Sequence, residues 1–212
     1  MDIGRSFTYL FDDENWVTKI LIGAFFALLS FIVIGTPFVL GYLVETLKNV
    51  MDGNPRPLPD WADLGPKFTK GLMLFLILLI YSLPIIFVSC LSWMGAIIAK
   101  ESEAMGAFLT CMNCLSVLWG FLVAVVAPAA TIRYAITGEF ISGFQFGQIF
   151  NLIANNLANY IIAFLLSMLA SIIGGFGMIL CGFGVLFTGF WALLVYAHLF
   201  GQVYQASETQ TI

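Results

Sequence analysis

Four long apolar runs, at about 71–99, 105–131, 153–174 and 178–200, dominate this chain of 212 residues. A helix that crosses a bilayer needs roughly 20 mostly apolar residues, and each run supplies them. Inside hydrocarbon every backbone amide must be satisfied without water, so continuous apolar runs point to helices. A transmembrane barrel would instead alternate apolar and polar residues. Composition argues against a soluble globule: 61% of residues are hydrophobic, 9% are charged, and mean hydropathy is +1.00. Soluble domains carry about 25% charged residues. The sequence therefore predicts an all-α, polytopic helical bundle forming a single integral membrane domain over 1–212.

The four runs pair into two hairpins, one with the polar tip Lys100-Glu101-Ser102-Glu103 and one with the glycine tip Gly174-Gly175-Phe176-Gly177. The stretch from Val17 to Val50 is harder to place. As one straight helix it would be on the order of 50 Å long, against a hydrocarbon core of about 30 Å. Gly35-Thr36-Pro37 near its centre marks a break, and two arms of about 15 residues would each be short for a full span. Charge distribution favours a segment that doubles back as a broken or re-entrant first hairpin. Both termini and the loops 51–70 and 132–152 then share one side. That side carries Arg5, Lys19, Lys48, Arg56, Lys67, Lys70 and Arg133, against Lys100 alone opposite. The positive-inside rule makes it the cytoplasmic side of an inner membrane. No secretory signal is expected, because the first sixteen residues are polar and acidic and no A-x-A site follows.

Each hairpin is preceded by a short amphipathic lead-in, which suggests topological repeats at 1–50, 57–134 and 140–204. Ile3, Phe7, Leu10 and Phe11 recur at helical spacing ahead of Trp16, as in a helix lying among headgroups. In Gly53-Asn54-Pro55-Arg56-Pro57-Leu58-Pro59-Asp60-Trp61, alternate prolines impose an extended connection. Asp60 is placed to cap a helical turn, and Trp61 to anchor at the interface. In the third lead-in Ser142, Gln145, Gln148, Asn151, Asn155 and Asn159 form a polar stripe. Up to Asn151 the stripe reads as the wet face of an interfacial helix. Asn155, Asn156 and Asn159 enter the apolar segment, where such side chains hydrogen-bond between helices or face a ligand or lipid headgroup.

Chemistry-bearing residues are few. Cys111-Met112-Asn113-Cys114 has the CxxC form, with Cys90 and Cys181 at comparable depth. No second CxxC or nearby histidine completes a metal site, and cysteine is common in apolar interiors. His198, the only histidine, lies near the cytoplasmic end of the last helix and reads as a hydrogen-bonding residue. There is no G-x-S-x-G elbow, H-E-x-x-H helix or phosphate loop. An enzyme is not expected, and neither is a cofactor or metal. Charges sit at helix ends: Glu45 with Lys48 on one face, and Arg133 with Glu139 beyond it. Eight basic residues form no patch suited to nucleic acid. Pro84 and Pro128 predict kinks in the central hairpin, and the glycines of 174–189 predict close helix approach.

Gly41-Tyr42, the stretch Gly53 to Trp61, Gly71, and the run Arg133-Tyr134-Ala135-Ile136-Thr137-Gly138-Glu139-Phe140 resemble a prokaryotic membrane family, the domain of unknown function numbered 4013. The resemblance covers about 5–205. It implies a bacterial or archaeal cytoplasmic membrane and supplies no catalytic residues or substrate. Two readings follow. One is a non-enzymatic membrane scaffold or interaction protein, self-associating or joined to another membrane protein, that engages lipids. The other is a carrier or channel for a lipid or other small molecule. Candidate lipid, ligand or helix-contact residues are Asn155, Asn159, Arg133, Tyr134, Glu139 and Trp61.

Overall fold

A computed structural model describes residues 1–98, 103–179 and 182–209. The tip residues Lys100, Glu101 and Ser102, and Cys181, lie outside these. The helices are α1 (Ile3–Thr8), α2 (Trp16–Leu29), α3 (Thr36–Met51), α4 (Leu64–Ile98), α5 (Glu103–Thr137), α6 (Phe146–Asn155), α7 (Leu157–Gly175) and α8 (Gly184–Thr209). Four of them, α4, α5, α7 with its 3-10 extension, and α8, are long and apolar enough to cross a membrane. They form two hairpins.

The segment 17–50 doubles back. After α2 the chain tightens into a 3-10 turn at Ser30–Ile32, passes Val33 at φ 69°, and restarts as α3 with Pro37 in its first turn. A β-branched residue at positive φ is uncommon and marks a tightly specified reversal. Phe26 of α2 stacks on Phe38 of α3 with ring centroids 4.6 Å apart. The arms have 14 and 16 residues, about 21 and 24 Å, so neither alone matches a core of about 30 Å.

Long-range hydrogen bonds gather both termini and two loops at one end of the bundle. The Asp2 amide donates to Gln202, the Arg5 guanidinium to the Pro55 carbonyl, Gln205 to the Val50 carbonyl, and the Tyr134 hydroxyl to the Lys70 carbonyl. The seven basic residues counted above belong to the segments that meet there.

Helix approach is closest where α3 crosses α4. A β-carbon on Gly41 would overlap the Lys67 carbonyl, and one on Gly71 would overlap the Pro37 carbonyl. Small residues at such crossings let backbones touch, which is the main source of packing energy between helices in lipid. Pro128 lies inside α5, and the Tyr160 hydroxyl enters the hydrogen-bond ladder beside it. That hydroxyl accepts from the Ala129 amide at 3.2 Å and donates to the Val125 carbonyl at 2.6 Å. Tyr160 is fully buried, so α7 is keyed to the one place where α5 is loosened.

Two lead-ins differ from the sequence expectation. The N-terminal segment turns Ser6, Tyr9 and Leu10 inward and leaves Ile3 and Phe11 exposed. Its polar Ser6 is buried because α8 supplies hydrogen-bond partners. The stripe from Ser142 onward is not one wet face either. Ser142 and Gly143 are buried beside α4 and α5, where the Tyr81 hydroxyl donates to the Gly143 carbonyl at 2.6 Å and Thr137 donates to Ser142.

Candidate functional site: the end of the bundle shared by both termini

The residues singled out by the sequence fall into three groups. Trp61 belongs to an aromatic and ionic lock. Its ring stacks on Tyr42 at 4.4 Å and on Phe26 at 5.0 Å, and its Nε1–H donates to the Lys19 carbonyl at 3.0 Å. Asp60 does not cap a helical turn, since residues 57–63 are not helical. Its carboxylate instead meets Lys19 Nζ at 3.0 Å. The same ammonium lies 2.8 Å from Asp13 and donates to the Leu58 carbonyl at 3.0 Å. Burial alone would raise the Asp13 carboxyl, but the Lys19 ammonium and the Asn15 amide hold it below the usual carboxylate range. Every proton of the buried Lys19 is thereby matched, which makes the cluster a structural clasp of the extended loop onto α2.

Tyr134 extends the clasp to α5 through its bond to Lys70. Glu45 pairs across the α3–α4 crossing with Lys67 at 2.8 Å and Lys70 at 2.9 Å, not with Lys48, which is exposed. An α3 carboxylate here neutralises the otherwise buried Lys67, a stronger demand than an exposed pairing along one helix.

Arg133 forms the second group, donating to Gln145 at 3.2 Å and to Gln148. Glu139 is exposed and uses its backbone rather than its carboxylate, accepting from Ser142. Asn155 and Asn159 are the third group, and the expected interhelical pairing is absent: neither side chain hydrogen-bonds to a described residue. Asn155 is exposed at the end of α6. Its neighbour Asn156, at the break between α6 and α7, is the buried one, and both its polar atoms lack a protein partner among the described residues. A three-residue period cannot reveal this, because the break resets the helical phase. Cys90, Cys111 and Cys114 are free and exposed. Among the described residues no group of metal-ligating side chains assembles.

No motif pointed to the cavity of about 670 Å³ that opens between the N-terminal segment, the loop after α3 and the last turns of α8. Its floor is a network linking residues almost 200 positions apart. Gln202 Oε1 accepts the Asp2 amide at 2.6 Å, which fixes the orientation of the side-chain amide. Gln202 Nε2 then faces His198 Nδ1 at 2.8 Å and Ser6 Oγ at 3.1 Å. His198 also stacks on Tyr9 with centroids 4.4 Å apart, and the Tyr9 hydroxyl donates to the Leu194 carbonyl. Only the lone histidine hinted at this arrangement in the sequence; Ser6 carried no signal.

Neither the curated proteins nor the solved structures contain a match to this chain. The sequence profile of one family, described as protein of unknown function (DUF4013), matches residues 24–183. That span takes in the α2–α3 reversal, the Gly41–Gly71 crossing, Trp61 and Arg133-Tyr134, the features that clasp the bundle together. With most of its length matched, the chain belongs to the DUF4013 family.

Proposed function

We propose that this protein is a non-enzymatic integral membrane scaffold of a prokaryotic cytoplasmic membrane, self-associating and engaged with one face of the lipid bilayer. The observation that carries the reading is the tip of the first hairpin. Phe31, Ile32, Val33 and Ile34 are 55–78% exposed, on a hairpin whose arms are shorter than the hydrocarbon core. Inserted from one side and too short to cross, such a hairpin adds more apolar volume to the leaflet it enters than to the far one. The outer faces of α4 and α5, with Phe87, Trp93, Val117 and Phe121 exposed, offer apolar surface for lipid or for further copies. A carrier or channel is the second reading, favoured by the unpartnered Asn156 and the 670 Å³ cavity.

Vesicle reconstitution separates the two. With rising protein density the wild type is expected to narrow vesicles in electron micrographs, and the double variant Ile32→Ser/Ile34→Ser to lose that effect. Unchanged vesicles combined with accelerated transbilayer movement of a fluorescent lipid would defeat the scaffold reading in favour of the carrier.

Orientation has its own expected result. The basic end, with both termini, is proposed to face the cytoplasm. Single cysteines at Gly4 and Asn54, in a background lacking the native four, should both react with an impermeant maleimide only from the cytoplasmic side. Labelling of either from outside would overturn the assignment.

A further inference from the structure

The cavity at the shared end has a built donor set that the scaffold reading does not use. His198 is 6% exposed and lines the cavity. We assign His198 the tautomer with its proton on Nε2, because Nδ1 lies 2.8 Å from the donor-only Gln202 Nε2, which also reaches Ser6 Oγ and the Asp2 carbonyl. Nε2 has no hydrogen-bond partner among the described residues, and His198 lines the cavity. The Nε2–H is therefore the donor that His198 has left to offer a ligand there. Arg5 lines the same cavity and spends one nitrogen on the Pro55 carbonyl, leaving further guanidinium N–H groups. Among the described residues the one carboxylate on the wall, Asp2, has an oxygen committed to the Arg5 amide. Val50, Pro55 and Pro57 contribute to the apolar part of the wall.

We infer that this cavity binds a small phosphate-bearing ligand, with Arg5 and the His198 Nε2–H as its donors. A guanidinium paired with a neutral N–H donor suits an oxyanion, since charge-assisted bonds to phosphate are the stronger class. A lipid headgroup and a free molecule present the same phosphate chemistry to these donors. The inference does not depend on the scaffold reading and would survive its failure.

His198 is the chain's only histidine, so its imidazole resonances in a ¹⁵N-labelled protein are unambiguous. The full chain, purified in a maltoside detergent on a tag without histidine, would be titrated in turn with inorganic phosphate, dihexanoyl phosphatidylglycerol and dihexanoylglycerol. The expected result is a saturable shift of the Nε2 resonance with a phosphate-bearing probe and none with the neutral glyceride. Response to the phosphatidylglycerol alone identifies a headgroup site, and response to both identifies phosphate itself as sufficient. Arg5→Gln should weaken binding about tenfold or more. Arg56→Gln, which alters an exposed pair with Glu14, should leave it unchanged. No saturable shift with either phosphate probe, equal response to the glyceride, or indifference to Arg5→Gln would each overturn the site.

Discussion

Replacing Gly71 with alanine is expected to lower the stability of the folded bundle by about 3 kcal/mol or more, and replacing it with valine to abolish recovery of folded protein. The added β-carbon would collide with the Pro37 carbonyl and the Gly41 amide nitrogen, both backbone atoms of α3. A clash with a side chain is relieved by a rotamer change, but this one is relieved only by separating the helices. Separation would also pull apart the Glu45–Lys67 pair and the ring contact of Phe38 with Phe68. Gly65, in the first turn of α4, serves as the control, because a β-carbon there would meet nothing within 4 Å. Gly65→Ala should be neutral or slightly stabilising, because alanine is the better helix former by about 1 kcal/mol. The check is the thermal midpoint of detergent-solubilised protein. A Gly71→Ala midpoint equal to that of wild type would mean that α3 and α4 do not meet as described.

Much of the fold was legible because lipid imposes one rule on every spanning segment. Four long apolar runs have no option but to become helices, and the break at Gly35-Thr36-Pro37 with two short arms leaves doubling back as the economical path. Charge then placed the loops at a common end, where the structure finds them hydrogen-bonded. The reasons behind the motif residues were not legible. Gly41, Tyr42, Asp60, Trp61 and Gly71 stand out in the sequence, yet local pattern assigned Asp60 to a cap. In the fold Asp60 meets Lys19, some 40 residues earlier, because the proline-rich loop remains extended and lies against α2.

The cavity at the shared end was hidden for a related reason. Ser6, His198 and Gln202 are individually ordinary, and their network forms only when the N-terminal segment packs against the end of α8. The asparagines failed differently. A stripe drawn through Asn151, Asn155 and Asn159 assumes one continuous helix, and the Asn156 backbone (φ −129°, ψ 34°) interrupts it. The residue between the stripe positions is the one turned inward. Periodicity is informative only within a helix whose ends are already known.

Lys19→Met is expected to destabilise the protein by roughly 3–5 kcal/mol, the usual consequence of removing one partner from a buried ion pair. The side chains of Lys19 and Asp13 are each 10% exposed, whereas that of Asp60 is 79% exposed. Loss of the ammonium lets Asp60 rehydrate but strands the Asp13 carboxylate and the Leu58 carbonyl. Most of the penalty therefore comes from Asp13, and Lys19→Met combined with Asp13→Leu should recover a large part of it. The pH dependence has a defined sign. The folded-state Asp13 carboxyl titrates below its unfolded value, so its contribution is fully present above the unfolded value and is lost as pH falls through the folded one. Wild-type protein should lose this increment on acidification, and the double variant should lack that part of the acid response. Unfolding measured for all four members of the cycle, with Asp13→Leu as the other single variant, gives the coupling directly. A coupling below about 1 kcal/mol would reduce the clasp to the strength of an exposed pair. A larger one would mean that the buried Asp13 carboxylate fixes the ammonium that receives Asp60 and the Leu58 carbonyl of the loop carrying Trp61.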